Sequence, residues 1–116
     1  MSRDEALLLD MLVAAREAIG FVAALDRAQF ASSRLHQNAV ARSIEVVGEA
    51  ATKVSQNFRS THPQIPWRDI VGMRNRLIHN YSNVSLDVLW DVCTAKLPGL
   101  VSLLLPLVPP DTGDRG

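Results

Sequence analysis

The sequence holds a single cysteine in 116 residues. Cys93 has no partner for an internal disulfide, and no CxxC exists. It sits in an apolar helical pattern and reads as a buried thiol in a reducing compartment. His36, His62 and His79 are scattered, so no metal-ligand spacing is present. Charge of either sign is not in excess: 12 Lys and Arg balance 12 Asp and Glu. The global field therefore gives no reason to wrap DNA, and any nucleic-acid contact must come from a local patch. A signal peptide is not expected, because Asp4 and Glu5 stand where positive charge belongs and Asp10 interrupts the leucines. Residues 97–107 are the most apolar stretch, yet the run looks too short to span a bilayer and carries Pro98 and Pro106. No membrane and a cytoplasmic location are expected. Strand alternation, internal repeats and glycine-rich phosphate loops are also missing.

What remains is helical periodicity in a chain of one-domain length. The reading is an all-α, antiparallel bundle of four to five helices over residues 1–108, with a disordered tail at 109–116. Ser2 and Glu5 form a capping box. The first helix, about 4–25, buries Leu8, Leu12, Ala15, Ile19, Val22 and Leu25. Residues 26–33 connect it to a second helix over about 33–58, capped by Ser32 or Ser33. Its seam is Val40, Ile44, Val47, Ala51, Val54 and Phe58, and Arg42, Glu45, Glu49 and Lys53 share another face. Gly48 costs a helix about 1 kcal/mol relative to alanine, an expense that close packing at a subunit interface would offset. Residues 60–66 form a loop in which His62 is expected to be exposed; His36 is treated alike. A third long helix covers about 66–80, with Pro66 in its first turn. Ser85 caps the last, which buries Leu86, Leu89, Cys93, Leu97, Leu100, Leu104 and Leu107 and kinks at Pro98.

The apolar pattern is broken in one place. Trp67, Ile70, Arg74, Leu77, Ile78 and Tyr81 fall on one stripe at helical spacing. An arginine in its middle must be paired or face a cleft. The adjacent stripe is Arg68, Gly72, Asn75 and His79, where Asn75 and His79 are surface neighbours and Gly72 leaves the backbone open. No Ser–His–Asp order and no carboxylate pair is evident. Imidazole suits proton transfer near neutral pH, and guanidinium binds phosphate bidentately. Together they fit RNA cleavage in which the ribose 2′-OH attacks its own phosphate, with no metal required. Arg74 and His79 lie five residues apart, about 140° around an ideal helix. The long Arg side chain, a frayed helix end or a second copy of the helix across a two-fold axis would close that gap, and the dimer is favoured because it would also cover the apolar stripe beside Arg74. The blander alternatives are a packed His79, an ion pair of Arg74 to Glu45 or Glu49, and a packed Tyr81.

Arg74, four residues, His79, one residue, Tyr81 resembles the R-x4-H-x-Y signature of HEPN-domain ribonucleases. Ile44 to Ala50, His62-Pro63, Ile65-Pro66-Trp67, Gly72 and Asn75 are similar to the HepT-like subgroup, so the resemblance spans about residues 5–107. It implies a homodimeric bundle with two motifs meeting in one cleft. It implies a metal-independent RNase with no cofactor, acting as the toxin of a toxin–antitoxin pair. Arg74 and His79 would carry catalysis with Asn75 in support. Arg68 and Arg76 would add local positive charge for RNA. The partner implied is an MntA-like nucleotidyltransferase that transfers AMP to Tyr81, placing phosphate beside Arg74. A non-catalytic dimer that only docks such a partner is the competing reading.

Overall fold

The computed structural model describes residues 1–80 and 84–109, and among them every regular element is helical. Helix α1 runs Arg3–Val22. The Ser2 hydroxyl accepts from the Glu5 N–H at 3.1 Å, and the Glu5 carboxylate accepts from the Ser2 N–H at 2.9 Å. These bonds satisfy two donors that a helix start leaves bare. Leu8, Met11, Leu12, Ala15 and Ala18 are buried along α1. It packs most extensively against α3, Arg34–Lys53, which buries Ala41, Ala50 and Ala51.

The connection at 26–33 is itself helical. Helix α2, Arg27–Ala31, starts on a second capping box, Asp26 with Gln29. Arg27 donates to Asp87 at 2.7 Å and to Asp91 at 2.8 Å, tying α2 to the last helical stretch by an exposed fork. Ser33 caps α3, and its hydroxyl also meets His36 Nδ1 at 2.6 Å, so His36 is half-buried rather than free.

The second long helix stops well short of residue 58. Val54 is extended, with ψ near 138°, and buried. A new helix, α4, runs Gln56–Thr61. The break is held from a distance: Asp4 accepts from the Ser55 N–H at 2.9 Å and from its hydroxyl at 2.6 Å. Ser55 in turn accepts from the Phe58 N–H. These bonds hold the Asp4 carboxyl below the ordinary aspartate value, the Ser55 hydroxyl contributing most and the Ser55 N–H next. His62 is half-buried too. It stacks on Phe58 with ring centroids 3.9 Å apart, and Nδ1 donates to the Phe58 carbonyl.

Helix α5, Trp67–Asn80, follows, and Pro66 stands just before it, accepting from the Ile70 N–H. It leans chiefly on α3. At Gly48 the two helices come so close that a Cβ would overlap Arg74 Cβ and lie 2.8 Å from Arg74 Cγ. The close packing expected of Gly48 is thus real, but it is a contact within one chain rather than between subunits.

The last stretch is α6 (Leu86–Asp91), a π turn (Val92–Lys96), α7 (Leu97–Leu104) and a 3-10 turn (Leu105–Leu107). Pro98 has no N–H for the Thr94 carbonyl, and the turn before it widens. The Leu97 N–H reaches back five residues to the Val92 carbonyl. The expected kink takes the form of this π turn. The helical run Leu86–Leu107 has 22 residues, long and apolar enough by length and composition to cross a membrane. The argument from shortness therefore does not hold. This helix instead buries Leu89, Cys93, Leu97, Leu100 and Leu104 in the core, with α7 against α1. Leu86 is exposed and Leu107 only half-buried, contrary to the expected face. Burial pushes the Cys93 thiol up to about 12, so it stays protonated and unreactive. The tail expected to be disordered lies, Pro109 apart, outside the described residues.

Candidate active site

Helix α5 is a two-faced element with one strong neighbour. Leu77 is its fully buried residue. Ile78, expected on the buried stripe, is 46% exposed. The reason is geometric. A helix that leans mainly on one partner buries a narrow strip, and Ile78 lies beyond its edge.

Arg74 lies at the edge of that strip, its side chain 25% exposed. Nη2 donates to Glu49 at 2.7 Å, and Nη1 donates to the Asn75 side-chain oxygen at 3.1 Å. Nε is shielded and has no partner. Lys53 approaches the other Glu49 oxygen at 3.5 Å. Of the two acidic partners considered for Arg74, Glu49 is the one used, while Glu45 pairs with Arg42 at 3.5 Å. Arg74 and then Lys53 hold the Glu49 carboxyl below its ordinary value of 4.5.

This arrangement orients the guanidinium without closing it off. Gly48 lets α5 approach α3, Glu49 one residue later grips one end of the fork, and Asn75 grips the other. Asn75 and His79 are both exposed, one turn apart. The structure leaves His79 open to solvent, which contradicts a packed histidine. Arg74 and His79 share one regular helix but point about 140° apart on the ideal period. On that period a straight helix does not aim both side chains at one atom. Arg68 and Arg76 are exposed; Arg68 borders a mixed polar and apolar cleft between α4 and α5, together with Trp67, Gly72 and Asn75. Tyr81 lies outside the described residues. Among the described residues no cluster of three or more His, Cys, Asp or Glu could hold a metal.

A second cleft, of about 580 Å³, was not foreseen. It is apolar and separates α5 at Ile70 and Met73 from α7 at Leu97, Leu100 and Leu103, with Ile44 and Val47 beneath.

Glu49→Gln keeps the shape of the grip and removes its charge. Any reaction that uses this guanidinium is expected to slow on the order of tenfold, through kcat rather than KM, as a charge-assisted hydrogen bond becomes a neutral one. The pH dependence has a definite sign. A carboxyl whose pKa is lowered by folding contributes fully above its unfolded value, and that contribution is lost as pH falls through the lowered one. Wild type should therefore keep this grip at all pH values above 4.5. Below that it should approach Glu49→Gln, which a rate–pH profile of both proteins would check.

Comparison with known proteins gives a consistent result. Residues 11–106 match a family described as "Ribonuclease HepT-like". A Methanocaldococcus jannaschii protein provisionally named an RNase is 34% identical over 94 residues, covering 81% of this chain and 86% of its own. A second protein of that organism, with the same provisional designation, is 33% identical over 93 residues, or 80% and 77% of the two chains. The probable ribonuclease HepT of Thermococcus cleftensis is 39% identical over 71 residues, 61% of this chain and 64% of its own. No solved structure matches the chain.

Proposed function

The chain belongs to the HepT-like ribonuclease family, and from that premise we propose that it cleaves RNA without a metal, using Arg74, Asn75 and His79 of α5. The observation that carries the reading is the state of Arg74. Its guanidinium is pre-oriented by Glu49 and Asn75 on the same helix that exposes His79. In the proposed step His79 takes the proton of a ribose 2′-OH. The freed oxygen forms a bond to the adjacent phosphorus, and the bond from phosphorus to the 5′-oxygen of the next nucleotide breaks. Solvent water delivers a proton to that leaving oxygen, and the hydroxide left behind takes the proton held by His79. The products are a 2′,3′-cyclic phosphate and a 5′-hydroxyl. Arg74 stabilises the charge that gathers on the phosphoryl oxygens. Asn75 holds the guanidinium in place, and Arg68 and Arg76 add local attraction for the strand.

The 140° between Arg74 and His79 favours a homodimer in which two α5 helices face one another across a two-fold axis. The apolar cleft beside Ile70 and Met73 and the exposed Ile78 give such a contact surface to bury. The further reading is a cytoplasmic toxin, restrained by an MntA-like nucleotidyltransferase that adds AMP to Tyr81. Phosphate added near Arg74 would occupy the cation that RNA needs. The test is incubation of the purified chain with RNA, and with DNA of the same sequence, in a chelating buffer. RNA should be cut and DNA left whole. RNA that survives, or cleavage that appears only on adding a divalent metal, overturns the proposal.

A further inference from the structure

The cleft between α4 and α5 has about 580 Å³ of space, enough for part of a nucleotide, and Trp67 and Val71 line it beside its polar side chains. Arg59 and Ser60 of α4 face Arg68, Gly72 and Asn75 of α5 across it. Arg59 is half-buried, its Nε shielded and without a partner. Its Nη2 donates to the Gln56 side-chain oxygen at a long 3.3 Å. Among the described residues neither Arg59 nor Arg68 is in an ion pair, a state shared with Arg3, Arg16, Arg34 and Arg76 but not with Arg27, Arg42 and Arg74; what sets Arg59 and Arg68 apart is that they line one cleft. Two guanidinium groups kept clear of carboxylates on facing walls make an anion site. A side chain at Gly72 would meet nothing within 4 Å, so the floor of the cleft is open.

Asn75 joins this cleft to the catalytic motif. Its oxygen is engaged by Arg74. That leaves its NH₂ group to donate toward the cleft it lines. We propose that Arg59 and Arg68 hold a backbone phosphate of the RNA strand that flanks the scissile one, with Ser60 and Asn75 donating to the same group. The cleft is thus a substrate subsite one or more nucleotides away from Arg74. The proposal rests on the RNA-cleaving reading for its substrate class but not for its test.

The test measures binding rather than cleavage. A 2′-O-methyl hexanucleotide has no attacking hydroxyl and reports affinity alone; a 2′-O-methyl dinucleotide has one phosphodiester and cannot fill both places. Fluorescence anisotropy is measured with full-length wild type, Arg59→Ala, Arg59→Lys and Arg16→Ala. Arg59→Ala is expected to weaken the hexanucleotide about tenfold and to reduce the salt slope by about 0.7, as one phosphate contact on a single strand is lost. The dinucleotide should bind it as it binds wild type. Arg59→Lys should recover the salt slope but not the full affinity, since an ammonium lacks the bidentate fork. Arg16→Ala, which removes an exposed arginine of α1 away from the cleft, should bind both ligands as wild type does. Equal weakening of both ligands, or no weakening of the hexanucleotide, overturns the subsite. So does AMP or inorganic phosphate competing at the hexanucleotide's own affinity, which would make the ligand a free anion. A wild type that binds in this Arg59-dependent way yet cuts nothing would sink the nuclease reading and leave the subsite standing.

Discussion

His79→Ala is expected to cut the rate of RNA cleavage by about 10²–10⁴-fold, the usual worth of a general base. The same substitution should leave the thermal midpoint nearly where it was. His79 is exposed, and surface changes away from caps and buried networks are typically within about 0.5 kcal/mol. Arg74→Ala should lose activity to a similar degree by a different route. It removes charge stabilisation of the transition state and frees Glu49 to sit against Lys53 alone. Rates under saturating RNA, with melting curves of the same samples, separate chemistry from folding. A His79→Ala protein as active as wild type would remove the base from the mechanism.

Gly48→Ala tests how α3 and α5 meet. In most helix interiors this change is favourable by up to about 1 kcal/mol. Here the added methyl overlaps Arg74 Cβ, is 2.8 Å from Arg74 Cγ, and is 3.2 Å from the Ile70 carbonyl oxygen. Neither a Cβ nor a backbone carbonyl can swing away by changing rotamer, so α5 itself has to move. Overpacking of this kind costs about 1–3 kcal/mol. The expected net result is a lower melting temperature. Activity should fall further than stability does, since a displacement of about 1 Å at a reacting group can cost 10²-fold. Gly20→Ala in α1 is the control, because a side chain there meets nothing within 4 Å. It should leave activity unchanged and raise stability slightly. Equal effects at Gly48 and Gly20 would mean that the close approach of the two helices is not as described.

The long helices were legible because their apolar residues recur at helical spacing, and the arginine in the α5 stripe stood out against that pattern. The end of α3 was not legible. Val54 and Phe58 continue the seam of Ile44 and Val47 in sequence, and the break between them is imposed by Asp4, about fifty residues earlier. Periodicity carries no trace of such a contact. Helix α2 could have been read, since Asp26 and Gln29 have capping-box spacing just as Ser2 and Glu5 do. The place of Gly48 was half legible: a costly residue signalled a close contact, but not which helix would make it. Arg74 was legible as a group needing a partner. Which carboxylate supplied it depended on the crossing of α3 and α5. Arg59 carried no local signal, because only the turn at Val54 and Ser55 brings α4 across from Arg68 and Asn75.

On this account two α5 helices, one from each copy of the chain, supply the groups that let RNA cut itself. End-group analysis of the fragments made from RNA in a chelating buffer tests it most directly. Fragments should carry a 2′,3′-cyclic phosphate and a 5′-hydroxyl, and none should form at a linkage whose 2′-OH is replaced by hydrogen. A 5′-phosphate on the fragments, or cleavage at the deoxy linkage, would contradict it.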